Sequence, residues 1–307
     1  MSAGGGTKAI IAALVANAGI AAAKFTGFLI TGSSSMLAES VHSLADTSNQ
    51  GLLLLGQKTS QRKATRTHPF GFGRDRYFYS FIVALMLFSL GSVFALYEGI
   101  HKISHPEALT SPLVAVGILV VAIGLECYSF HTAIQESKKI KGDAGWWAFI
   151  RQAKTPELPV VLLEDAGALL GLVFALAGVG LSVITGEPVW DGIGTVTIGV
   201  LLGIIAIILI IEMKSLLIGE GASETDLDVI VDELAAGKVE RVIHIRTLYI
   251  GPDEMLVAAK LALVPGLDTA DIARAIDDAE ARVRAKVPTA KLIYLEPDLD
   301  RSTAVKA

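Results

Sequence analysis

Four ionisable side chains stand where charge is expensive. His42 and Asp46 lie four residues apart in Glu39-Ser-Val-His42-Ser-Leu-Ala-Asp46-Thr-Ser-Asn49-Gln50, and Glu164 adjoins Asp165 in Val160-Val161-Leu-Leu-Glu164-Asp165-Ala-Gly167. Both stretches read as membrane helices, in which an ionisable residue costs at least a few kcal/mol and needs a partner, a wet cavity or a function. On a helix, residues i and i+4 sit one turn apart on one face, so His42 and Asp46 are placed to hold one ion. An imidazole joined by carboxylates from a second helix forms the nitrogen and oxygen shell that Zn²⁺ takes in tetrahedral geometry at about 2.0–2.2 Å. The competing reading is structural, with the four side chains pairing with one another or with Lys24 to hold the bundle. Four such residues on two helices favour an ion path over that reading.

Other polar groups at membrane depth read differently. Lys24 and Glu39 make a natural ion pair, and Asn17 is either a helix-to-helix hydrogen bonder or a group supporting the ligands. Glu98, Glu126 and Asp191 are single charges, read as structural ahead of a proton path, and Cys127 reads as an ordinary buried residue.

These residues need membrane-spanning elements to position them. Of 307 residues, 52% are hydrophobic and 19% charged, which is too apolar for a soluble chain of this size. Crossing the hydrocarbon layer takes about 20 apolar residues per helix, and six runs qualify: Ala9 to Thr31, Ser34 to Gln57, Tyr77 to Ile100, Ser111 to Ile134, Pro159 to Thr185 and Trp190 to Ile211. From Gly219 onward charge becomes dense and no run spans. The expected organisation is a transmembrane domain over 1–218 and a water-facing domain over 219–307.

Lys58, Arg62, Lys63, Arg66, Arg74 and Arg76 follow the second span, and Lys138, Lys139, Lys141, Arg151 and Lys154 follow the fourth. The opposite connections carry only Lys102. The positive-inside rule then puts both termini in the cytosol. The start shows neither a cleavable signal nor an Arg-rich transit peptide; with the short chain, this leads to an expected location in a prokaryotic plasma membrane. One cysteine allows no intrachain disulfide, and no basic tract suggests nucleic acid. An enzyme is not expected, since the His-Glu-x-x-His motif of metalloproteases is absent.

The stretch Ala38 to Gln50, followed by His68-Pro-Phe-Gly71-Phe-Gly73-Arg74, resembles the cation diffusion facilitator family of metal/proton antiporters. The segment Pro159 to Gly171 looks most like the branch that includes the animal mitochondrial zinc exporter. The resemblance implies a homodimer of alternating-access protomers, each exporting a divalent metal from the cytosol in exchange for protons. No cofactor is implied, because the metal is the transported substrate.

By position, the resemblance assigns metal binding to His42, Asp46 and Asp165; the fourth ligand would fall on Val161, which cannot bind metal. Glu164 is the substitute if α-helical geometry gives way there, with Asn17 or water as alternatives. The mixed His/Asp pair resembles the zinc-preferring members, while Mn²⁺, Fe²⁺ or Co²⁺ export and a transport-inactive dimeric scaffold are the other readings. Metal ligands must be deprotonated to bind, and an imidazole titrates ordinarily at about 6.5, so protonation of His42 is expected to promote release.

The C-terminal region reads as αββαβ: a helix to about Ala236 capped by Ser223 or Thr225, strands Val239 to Tyr249 and Glu254 to Leu263, a helix Thr269 to Lys286 and a strand Lys291 to Glu296. This order resembles the family's ferredoxin-like dimerisation domain. The positions where relatives bind regulatory zinc fall on Ile243, Lys260, Tyr294 and Glu296, so no multinuclear zinc site is expected. His244 reads as structural, and His68 as a loop-structuring residue beside Phe72.

Overall fold

The structure is a computed structural model that describes residues 3–31, 34–106 and 112–299. The side chains of Glu39 and His42 lie outside the described residues. The chain divides into two compact units, residues 1–61 with 75–214 and residues 62–74 with 215–307.

The first unit is helical: α1 (Ala3–Thr31), α2 (Ser34–Ser60), α3 (Asp75–Met86), α4 (Phe94–Ser104), α5 (Pro112–Lys141), α6 (Trp146–Gln152), α7 (Glu157–Thr185) and α8 (Val189–Ile218). Among the described residues, five stretches are long and apolar enough to cross a membrane: Gly6–Ile30, Asp75–Ser104, Leu113–Lys141, Glu157–Thr185 and Val189–Ile218. The sixth expected span corresponds to α2, which runs for 27 residues but carries the polar sequence from Ser40 to Gln50.

Two departures from the expected spans have local causes. The third is interrupted by a π-helical stretch, Leu87–Val93, between α3 and α4, whose Leu-Phe-Ser-Leu-Gly-Ser-Val sequence looks like any apolar run. The fourth continues past Ile134 to Lys141, because residues 135–141 favour helix although they are polar. Helix α7 begins with Pro156 at its N-cap and ends where Gly186 adopts φ 75°, both common boundary devices.

Helix α1 packs against α2 and α5, and α5 packs against α7. Helix α8 lies against the α3–α4 span through glycines: a Cβ at Gly99 would come within 2.7 Å of the Val196 backbone nitrogen, and one at Gly199 within 2.9 Å of the Leu96 nitrogen. Small residues permit this backbone approach where lipid supplies no hydrophobic drive between helices. Ser92 Oγ adds a 2.8 Å hydrogen bond to the Gly199 carbonyl. Cys127 is exposed on the outside of the bundle, correcting the expectation that it is buried.

The second unit contains α9 (Glu224–Leu234), β1 (Val239–Gly251), β2 (Glu254–Leu263), α10 (Thr269–Lys286) and β3 (Ala290–Pro297). The sheet order is β1-β2-β3, with β1 antiparallel and β3 parallel to β2. Met255, Val257, Ala259 and Leu261 alternate inward along β2 and pack with Ile230, Leu234, Ala279 and Val283 of the helices. Ser223 caps α9 by accepting from the Asp226 amide, and Asp268 caps α10 by accepting from Asp271. Ile272 and Ile276 are only half-buried on α10, where Ala275, Ala279 and Val283 make the core contact.

The connection 62–74 belongs to this second unit. Gly73 passes so close to the end of β1 that a Cβ there would stand 2.7 Å from the Ile250 carbonyl oxygen. Within the loop, the backbone amide of Gly71 donates to the His68 carbonyl at 3.0 Å, the His68 ring meets Phe72 at 4.6 Å, and the Arg62 guanidinium lies over the Phe72 ring at 4.5 Å. His68 is thus a loop-structuring residue.

Candidate functional site

Inside the helical unit lies a cavity of about 310 Å³, lined by Asn17, Lys24, Ser43, Asp46, Glu126, Glu164 and Asp165 among apolar neighbours. It extends to Glu98, Lys102 and Asp191 at the far ends of α4 and α8. On the other side, Leu158, Val160 and Val161 at the start of α7 are fully buried. Carboxylates from α2, α5 and α7 therefore share one chamber whose continuation runs toward Lys102 and Asp191.

Each carboxylate is held by its own neighbours. Glu164, 6% exposed, accepts from Asn49 Nδ2 at 3.2 Å and from Gln50 Nε2 at 3.0 Å, one donor on each oxygen. Gln50 Oε1 in turn accepts from Asn17 Nδ2 at 3.2 Å, so a chain of amides links α1 and α2 to α7. Asn17 is both a helix-to-helix hydrogen bonder and a group behind Glu164. Asp165, 2% exposed, accepts instead from Ser129 Oγ of α5 at 2.6 Å. Successive helical residues point about 100° apart, and α7 runs as regular helix through both positions, so the two carboxylates serve different neighbours.

Asp46 lines the cavity within electrostatic reach of Glu164 and Glu126. His42 occupies the preceding turn of α2, its side chain outside the described residues. Lys24 Nζ donates to Ser43 Oγ at 3.0 Å; its expected partner Glu39 also lies outside them. Asp191 pairs with Lys102 at 2.9 Å. Among the described residues, no three His, Cys, Asp or Glu side chains converge closely enough to hold one metal ion.

Sequence reasoning placed Glu126 among structural charges and passed over Ser129. Glu126 lines the chamber from α5, and Ser129 on the same helix bonds Asp165. The signal available was Glu126 followed three residues later by a hydroxyl, a pair that shares one helical face.

In the second unit, Lys260 stands at one of the positions that the sequence reading set against zinc ligands. Its ammonium bonds Glu296 at 3.1 Å and Asp298 at 3.0 Å. His244 accepts a 3.1 Å hydrogen bond from Arg246 Nε on the surface of β1.

The helical unit has the make-up of a multi-pass membrane domain, with a carboxylate-lined chamber between its helices. The chain belongs to the cation efflux family: the sequence model of the cation efflux transmembrane domain matches residues 10–218. That model describes a transport domain and not an enzyme. It is 36% identical over 239 residues to the mitochondrial proton-coupled zinc antiporter SLC30A9 of Xenopus laevis, covering 77% of this chain and 43% of that protein. The human protein of the same name is 33% identical over 223 residues, covering 72% of this chain and 39% of its own length. Metal tolerance protein C4 of Arabidopsis thaliana is 31% identical over 261 residues, 83% of this chain and 56% of that protein. The chain thus spans about two-fifths of the length of the animal relatives it matches.

These relatives correct one expectation. The animal proteins matched over most of the chain are named mitochondrial, which overturns the plasma-membrane placement. Lysine and arginine bias reports which side of a bilayer a connection keeps to and says nothing about which bilayer.

Proposed function

We propose that this protein exchanges a divalent cation, zinc first, for protons by alternating access, moving the cation away from the side that holds the Lys/Arg-rich connections. The observation that carries this reading is the shared chamber: Asp46 of α2 and Asp165 of α7 line one buried cavity, one turn of α2 beyond His42. His42, Asp46 and Asp165 are the cation ligands in this reading, with Glu164 held beside them by Asn49 and Gln50. Because each ligand must be deprotonated to bind, metal and proton compete for the same groups, and this competition couples the two fluxes.

The relatives named as proton-coupled zinc antiporters support zinc and proton coupling. Helix α2 completes six spans in this proposal, residues 219–307 form a ferredoxin-like dimerisation domain, and the working unit is a homodimer. One observation favours a second cargo: Asp46, Glu126, Glu164 and Asp165 around the chamber are all carboxylates, and oxygen-rich shells suit harder ions such as Mn²⁺.

The test is uptake into vesicles with an imposed pH gradient, offering Zn²⁺, Mn²⁺, Fe²⁺ and Co²⁺ separately. Gradient-driven flux of one metal that Asp46→Ala and Asp165→Ala both abolish identifies the cargo and supports the site. Absence of flux for every metal, in folded protein, favours a scaffold and overturns the transport reading.

A further inference from the structure

Position 161, one turn before Asp165 on α7, is a fully buried valine, so that turn offers carbon where a second α7 ligand would stand. Glu164 is a poor replacement. Both its oxygens already accept from Asn49 and Gln50, and it points about 100° around the helix from Asp165.

A different carboxylate faces the chamber from α5. Glu126 is 3% exposed, lines the same cavity as Asp46 and Asp165, and makes no hydrogen bond or ion pair with any described residue. It lies within electrostatic reach of Asp46, Glu164 and Asp165, and Lys24 on the same cavity wall is the one described cation acting on it. Three residues further along the same face, Ser129 bonds Asp165, so this face of α5 is the one turned to the candidate ligands. A buried carboxylate without a hydrogen-bond donor is costly, and a divalent cation drawn among these oxygens would remove that cost.

Resting on the transport reading above, we propose that Glu126 is a cation ligand of the transport site, supplying from α5 the oxygen that Val161 leaves α7 without. The described carboxylates do not converge on one point in this conformation, so Glu126 joins the shell as α5 and α7 close around the cargo. Cation binding then engages three helices, α2, α5 and α7.

The experiment is calorimetric titration of the purified full-length protein with Zn²⁺, beside Zn²⁺ uptake into vesicles, for wild type, Glu126→Gln, Glu126→Asp and Asp46→Ala. Glu126→Gln keeps the side chain's size and removes its charge. The expected result is a Zn²⁺ Kd raised about ten- to a hundredfold or more, since even groups behind the ligands reach that scale, with thermal stability of the metal-free protein kept. Should Glu126→Gln not fold, Glu126→Asp, which draws the carboxylate back by one methylene, is expected to show the same weakening. A folded Glu126→Gln or Glu126→Asp that binds and transports Zn²⁺ like wild type, while Asp46→Ala does neither, overturns the role of Glu126 and leaves the transport reading standing. Wild type that neither binds nor moves Zn²⁺, Mn²⁺, Fe²⁺ or Co²⁺ overturns the transport reading and this inference with it.

Discussion

Arg76 at the start of α3 grips Glu157 at the start of α7 with two hydrogen bonds, Nε to Oε1 and Nη2 to Oε2, the latter 2.8 Å long. The two side chains are 7% and 1% exposed. Arg76, counted from sequence as a loop charge, is therefore part of the helical packing on the side where α7 is closed. Bidentate guanidinium-carboxylate pairing is among the strongest polar contacts available to a protein.

Breaking that pair from one side leaves a buried charge uncompensated, at a cost of about 3–5 kcal/mol. Arg76→Ala or Glu157→Gln is expected to lower the melting temperature of the purified protein markedly. Replacing both, as Arg76→Met with Glu157→Leu, is expected to recover most of the loss, because a well-packed apolar pair avoids the desolvation of two ions. Thermal melts of the three variants decide it.

Ser129 donates the only hydrogen bond described to the Asp165 carboxylate. Ser129→Ala is expected to weaken Zn²⁺ binding by about ten- to a hundredfold, the scale of groups that orient metal ligands. Ser129→Thr, which keeps the hydroxyl, is expected to stay near wild type. Equal Zn²⁺ affinities for the alanine and threonine variants would remove Ser129 from the site.

The approach of α8 to α4 leaves no room at Gly99, where a Cβ would also meet the Val196 side chain at 2.7 Å. Overpacking of this kind costs about 1–3 kcal/mol. Gly99→Val is expected to reduce folded yield and melting temperature, whereas Gly117→Val, where a Cβ meets nothing within 4 Å, is expected to be tolerated.

In the C-terminal unit, hydrogen bonds from Lys238 and then Arg274 hold the Asp271 carboxyl below the usual carboxylate range. A lowered native pKa stabilises the fold at pH values above the unfolded pKa of about 3.9 and loses that effect as pH falls through the native value. Asp271→Asn is therefore expected to remove part of the acid dependence of stability, read as melting temperature against pH from 6 downward. A profile identical to wild type would show that the Lys238 contact does not persist in solution.

What could be read in advance follows from how locally each feature is encoded. The α2 pair stands out because charge among apolar residues is rare and its four-residue spacing fixes one helical face. The strands and helices of the C-terminal unit were readable from Ser223, from the Gly251-Pro252-Asp253 turn and from alternation along Met255 to Leu261. Glu126 carried the same intramembrane signal as Asp165, but its position opposite Ser129's partner depends on α5 packing beside α7, which no spacing along the chain reveals. The π-helical stretch was hidden for a similar reason: its residues would be equally at home in an α-helix.

The grouping of residues 62–74 with the C-terminal unit changes the mechanical connection between the two halves of the molecule. A domain appended only after the last span would hang from a single strand of backbone. Here the polypeptide crosses between units three times, after Gln61, after Arg74 and after Lys214. One crossing continues the helix that bears Asp46, and another leads directly to the Arg76 that grips α7. The C-terminal unit is thus tied by backbone to the ends of α2 and α3 as well as to α8.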